Sequence, residues 1–156
     1  MNRWSNVFTA SLLCLSLTMF ANHAVAQSAN LVGTWTPVSV EAFGPNPKGL
    51  LIFEPGGRFS LQLMRSELPK IASNKRDAGT AEENKTIVGG SIAYYGTYSI
   101  TGNDLTLHVE ACTFPNWTGT DQKRTNVSIT GDELKYTNPS PSVGGNPAVL
   151  IWKRTR

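Results

Sequence analysis

The sequence predicts an all-β fold of about eight short antiparallel strands closed into an up-and-down barrel, with one short helix inserted. Three observations carry that expectation. Runs rich in aromatic and β-branched residues recur along the chain, each bounded by Gly, Pro, Asn or Asp clusters. The connections between them are mostly short enough for hairpins, so neighbouring runs pair antiparallel. Helix-start chemistry is marked at Thr80-Ala81-Glu82-Glu83, where a Thr stands three residues ahead of a Glu.

The richest stretch is Ile92 to Arg124. Ile92 to Ile100 is dense in aromatic and β-branched residues, Thr101-Gly102-Asn103-Asp104 is turn chemistry, and Leu105 to Phe114 resumes the alternation. The segment therefore reads as a β-hairpin leading into an aromatic loop. Side chains two apart share a strand face, which groups His108 with Glu110 and Tyr94 with Tyr98.

From the start of the chain, Met1 to Ala26 reads as a secretory signal peptide. Arg3 supplies the positive n-region, Val7 to Phe20 is an apolar run diluted by Ser and Thr, and Ala24-Val25-Ala26 is a small-residue cleavage pattern. The run falls short of the ~20 apolar residues of a membrane span. Leu13 stands before Cys14, where a lipid-anchored cysteine would follow a small residue. The expected product, residues 27–156, is a bacterial-style periplasmic or secreted monomer with no membrane attachment after cleavage.

The whole chain carries 14 Lys and Arg against 11 Asp and Glu, a formal net charge of +3. Cleavage removes Arg3 and no acid, leaving a charge of +2. A near-neutral domain without a basic patch or a stacking platform in basic surroundings is not expected to bind nucleic acid. Cys14 leaves with the signal and Cys112 remains alone, so no internal disulfide forms despite an oxidising destination. Stability must come from one core inside one closed sheet.

The first strand begins near Leu31 and runs through Trp35 toward Phe43. Pro45 to Lys48 is a turn, Gly49 to Phe53 a strand, and Glu54 to Arg58 a second turn built on Pro and two Gly. Phe59 to Met64 alternates, with Phe59, Leu61 and Leu63 on one face and Ser60, Gln62 and Met64 on the other. Either set can line a barrel that holds a ligand. Ser66 to Ala78 is irregular and Pro69 bars a helix there. A helix from Ala81 to Val88, ended by Gly89-Gly90, is placed either as a lid on the open end or against the outer wall. Lys123 to Thr130 and Glu133 to Thr137 flank a Gly131-Asp132 turn, Asn138 to Pro147 is a loop, and Ala148 to Arg154 closes the sheet. About eight strands enclose room for side chains or one small ligand.

Certain short motifs stand in a telling order: Gly33-Thr34-Trp35, Pro55-Gly56-Gly57-Arg58, Gln62 to Arg65, Ala93 to Tyr98, His108 to Glu110, Phe114 to Gln122 and Ile151 to Arg154. That ordered set resembles the bacterial and fungal lipocalin-like domain family, small calycin-type barrels, over essentially the whole mature chain. The resemblance implies a barrel with an internal ligand cavity. It also implies that Trp35 plugs the closed end, with Arg154 stacked over its indole as a cation on a π face. It names no ligand and no reaction.

Gln62, Tyr94, His108, Glu110 and Arg124 are the candidate polar anchors, with Met64, Tyr98, Phe114 and Trp117 as the surrounding lining. Arg124 suits a bidentate contact with a carboxylate. Alternation through Leu105, Leu107, Val109 and Ala111 also allows His108 and Glu110 to lie on a solvated face, while Cys112 and Phe114 share their parity, so both orientations stay open. Trp117 is either a protein-binding hot spot or packing across the barrel mouth.

Three function classes follow. The first is a carrier of a small hydrophobic or amphipathic molecule. The second is an isomerase or cyclase in which His108 and Glu110 do acid–base work on an oriented hydrophobe. The third is a filled barrel that binds another protein. Zinc-type spacings, a nucleophile elbow and a phosphate loop are missing, and His108 is the one histidine after cleavage. No metal and no cofactor are expected. Cys112, in a strand, is not expected to be a nucleophile.

Overall fold

The computed structural model describes residues 30–156, so the signal-peptide reading of Met1 to Ala26 lies outside the described residues. Eight strands follow in order: β1 (Gly33–Val40), β2 (Lys48–Phe53), β3 (Arg58–Met64), β4 (Ser91–Thr101), β5 (Asp104–Cys112), β6 (Asp121–Thr130), β7 (Glu133–Asn138) and β8 (Ala148–Arg154). Each pairs antiparallel with the next, and β8 returns to β1, closing the barrel. An α-helix, α1 (Ala81–Gly89), is inserted between β3 and β4. Single 3-10 turns, Glu41–Phe43 and Pro115–Trp117, follow β1 and β5.

Period-2 patterning builds the wall. In β3, Phe59, Leu61 and Leu63 are buried, while Ser60, Gln62 and Met64 belong to the outer set. Leu105, Leu107 and Val109 of β5 face the same interior, as do Leu134 and Tyr136 of β7 and Leu150 and Trp152 of β8. The β4–β5 and β6–β7 turns place Gly102 and Gly131 at φ 58, which is glycine's region.

Two strands break the alternation. Tyr95 pairs with Ala111 but Gly96 pairs with Val109, so Glu110 is one extra residue bulged out of β5. The bulge flips the parity beyond it: Val109 is buried, and Cys112, three residues on, packs against the core as well. In β6 the register shifts between Thr125 and Ser128 around Asn126, which sits at φ 54. This second shift lets Arg124 and Val127 both be buried.

One end of the barrel is shut. Trp35 is fully buried, its Nε1 donates to the Leu31 carbonyl at 2.9 Å, and the Arg154 guanidinium lies 4.0 Å over its ring. Arg154 also donates to the Val32 and Asn30 carbonyls, at 2.7 and 2.6 Å. Tyr98 belongs to this end, meeting Phe53 edge-on at 4.8 Å and donating from its hydroxyl to the Glu54 carbonyl.

At α1 both halves of the capping box are made: the Glu83 amide donates to Thr80 Oγ1 and the Thr80 amide to Glu83 Oε2. Glu83 Oε1 also accepts from the Ala72 amide at 2.9 Å, tying the irregular segment before the helix to its first turn. The Ala72 N–H, with that of Thr80, holds the Glu83 carboxyl below the usual range. A depressed folded-state pKa means that this stabilisation is present above the ordinary carboxylate pKa and is lost as pH falls through the folded value. Lowering pH from 6 through the depressed Glu83 value is therefore expected to reduce the protection of the Ala72 and Thr80 amides, measured relative to their intrinsic exchange rates at each pH, before the barrel strands respond. Glu83→Gln should show fast exchange already at pH 6.

Candidate functional site

The opposite end is open. Inside its mouth is a cavity of about 50 Å³ whose walls include Leu61, Leu63, Ile92, Leu150 and Trp117, with Arg124 and Tyr94 as polar members. Above it lies a wider space of about 250 Å³, bounded by Phe114, the C-terminal end of α1 at Val88 and Gly89, and the β7–β8 loop. Phe43, Ile92, Ser142 and Val143 border both, so the two spaces adjoin. Val88 and Val143, at 73 and 60 % exposure, are the most exposed large apolar side chains of the described residues, and both stand on this rim.

Arg124 is the chemical centre. It is 2 % exposed, although it carries a full charge. Its Nη1 donates to the Lys123 carbonyl at 2.6 Å and to Asn138 Oδ1 at 3.1 Å, and its Nη2 to the Tyr94 hydroxyl at 3.2 Å. The ion pairs among the described residues are Arg58–Glu110 and Arg156–Asp132, His108 lies against Asp121, and Arg124 is in none of these contacts. Its guanidinium lies 5.8 Å from the Trp117 ring, which in turn meets Tyr94 edge-on at 5.5 Å and Phe114 at 5.9 Å. A cation this far from water, with only neutral partners, is held at a cost that an anion in the cavity would offset.

The strands explain why these side chains meet. Tyr94 pairs with Cys112 just beyond the β5 bulge, Arg124 pairs with Leu105 just before the β6 shift, and Asn138 ends β7 in phase with Leu134 and Tyr136. Tyr136, fully buried and stacked on Trp152, has its phenol pushed up by burial and stays neutral, so it adds no countercharge. The model of the lipocalin-like domain matches residues 32–155. The chain belongs to the lipocalin-like domain family. A comparison with curated proteins returns no match.

A lipocalin-like barrel is a ligand-binding architecture, and in this one the expected anchors divide into two groups. Tyr94, Trp117 and Arg124 line the inner cavity, and Phe114 lines the wider space above it. Trp117 thus packs across the mouth. His108, Glu110 and Gln62 do not project inward, which corrects that expectation. The β5 alternation holds His108 outside, where its Nδ1 lies 2.8 Å from Asp121 Oδ1, and the bulge holds Glu110 outside in a bidentate pair with Arg58 at 2.8 and 3.0 Å. Gln62 is exposed and donates to Ser60. Met64 belongs to the same outer set, and Tyr98 is structural at the closed end.

The outer wall of this lipocalin-like barrel carries a row in register, Arg58, Thr97, His108 and Asp121 across β3 to β6. It stands in open water rather than over an enclosed apolar space. Among the described residues, the mouth linings contain no His, Asp or Glu, so no carboxylate or imidazole faces the cavity. Cys112 packs at the core edge with its thiol pushed up by burial, against the pull of the Phe114 amide.

Asn138, Phe43 and Val143 went unanticipated. Asn138 was in principle readable: Leu134, Tyr136 and Asn138 alternate, so the last of them shares the buried face. Phe43 and Val143 come from a 3-10 turn and a Gly-rich loop, where no period applies.

Proposed function

We propose that this lipocalin-like barrel is an exported, monomeric carrier that holds one small amphipathic molecule in its mouth. The polar end of the ligand lies at Arg124 and its apolar body lies between Phe43, Ile92, Phe114 and Val143. Export rests on the n-region, apolar run and Ala24-Val25-Ala26 pattern of the first 26 residues. The observation that carries the binding reading is the buried, ion-unpaired Arg124 at the floor of a mainly apolar opening. Pockets that take small molecules combine apolar walls with a few convergent polar groups. The isomerase or cyclase reading loses its acid–base pair, because His108 and Glu110 stand outside.

Native mass spectrometry before and after denaturation tests this on protein purified from its own host. One bound small molecule per chain is expected, unchanged in mass after release. A Val143→Asp variant, with a charge placed on the rim, should lose most of it, while Gln62→Ala on the outer wall should keep it. Equal retention by both variants would place the ligand elsewhere. Protein that carries nothing and takes up neither 1-octanol nor octanoate would rule the carrier out.

A further inference from the structure

Resting on that reading, we infer that the ligand is a compact monocarboxylate, bound head-inward with its carboxylate on Arg124 and its tail at the rim. The charge count sets the sign and number. The inner linings hold a single cationic side chain, Arg124, and no acid. One buried guanidinium balances one negative charge; a cationic head would be repelled, and a dianion would bring a second buried charge with nothing to balance it.

Donor geometry sets the shape of the head. Of the five N–H groups of a guanidinium, those on Nη1 and Nη2 are turned to Lys123, Asn138 and Tyr94, and the Tyr136 phenol also lies within hydrogen-bond reach of the group. Nη1 carries two of these bonds and Nη2 one, so the less engaged nitrogens are Nε and Nη2. Those two lie along one edge of the planar fork and match the two oxygens of a carboxylate. The Tyr94 hydroxyl accepts from Arg124, so its own hydrogen remains to donate to the same head group.

Size makes the choice between anions. At about 30 Å³ per heavy atom, the share of one water in the liquid, the inner cavity of about 50 Å³ takes about two heavy atoms, so the smallest anionic head is the one that fits it best. A carboxylate has three; sulfate and phosphate esters have five. By the same measure the outer space of about 250 Å³ takes roughly eight heavy atoms of tail. The two spaces together, roughly 300 Å³, stand at the lower limit of small-molecule pockets, which argues against sterol-sized or tetrapyrrole-sized bodies.

Isothermal titration of the full mature chain with octanoate, methyl octanoate, 1-octanol and octyl sulfate decides the matter. Octanoate is expected to bind about 10- to 100-fold more tightly than its methyl ester or 1-octanol, the range of one charge-assisted contact. Octyl sulfate should bind no better than the alcohol. In Arg124→Gln, octanoate should fall to the level of the ester, while ester and alcohol keep their wild-type affinities. Equal binding of octanoate and ester by the wild-type chain would overturn the head-group assignment and leave the carrier reading in place. Octyl sulfate binding as tightly as octanoate would overturn the choice of carboxylate. If none of the four binds, the carrier reading beneath this inference fails with it. The wild-type comparison stands even if Arg124→Gln does not fold.

Discussion

Trp35→Ala is expected to cost about 3–5 kcal/mol, the range for truncating a fully buried aromatic residue. Against a typical stability of about 5–15 kcal/mol, that leaves the barrel marginal. The side chain does three jobs at the closed end: it fills the plug, it gives its indole N–H to Leu31, and it offers its face to Arg154. Ala removes all three and leaves the Leu31 carbonyl buried without that donor. Thermal unfolding should fall by roughly 10–20 °C. Trp35→Phe keeps an aromatic face for Arg154 and forfeits mainly the hydrogen bond, so its loss should be well under half as large. If Trp35→Ala melted within two or three degrees of the parent, the closed end would not be the keystone described here.

Gly96→Ala should rival it, for a different reason. A Cβ at Gly96 would lie 1.9 Å from the His108 carbonyl oxygen and 3.0 Å from the Glu110 nitrogen, both backbone atoms of the neighbouring strand. Backbone cannot swing aside as a side-chain end can, so β4 and β5 must part at the bulge, at about 3 kcal/mol or more. The disturbance reaches the mouth, since Tyr94 and Cys112 pair just beyond the bulge. Chemical denaturation and octanoate titration should therefore both register it. Gly102→Ala is the control: its Cβ meets nothing within 4 Å, and it carries only the left-handed backbone strain of φ 58, about 1 kcal/mol.

These two glycines mark what could be read from the chain. Gly102 stands in a Thr-Gly-Asn-Asp turn and announces the hairpin by its neighbours. Gly96 lies in the middle of a strand-like run, and nothing local says that the next strand presses on it. The same divide runs through the rest of the molecule. The order of eight strands, the Ala148–Arg154 closing strand and the Thr80–Glu83 cap were legible, because period, turn chemistry and capping are local. The facing of His108 and Glu110 was not, because alternation carries no sign, and because Cys112 and Phe114 shared their parity in sequence. The bulge at Glu110 breaks that shared parity, and it is defined by the pairing of two strands rather than by either one. Arg124 was legible as a candidate anchor. That it joins none of the ion pairs among the described residues was not, since that depends on what the surrounding strands bring near it.

The pairing of β1 with β8 has a consequence for how the chain finds its shape. Seven of the eight strand pairings join consecutive strands, and only this one joins residues as far apart as Trp35 and Arg154. The cost of bringing the distant partners together rises only logarithmically with the intervening length, and the cation–π clasp is placed where that cost falls due. With Arg154 bonded to the Asn30 carbonyl, the two ends of the folded unit touch. The strand order is thus a cycle cut at one point, and the cut is incidental to it: a chain opened at Gly144-Gly145 and joined across Asn30 and Arg154 would spell the same ring.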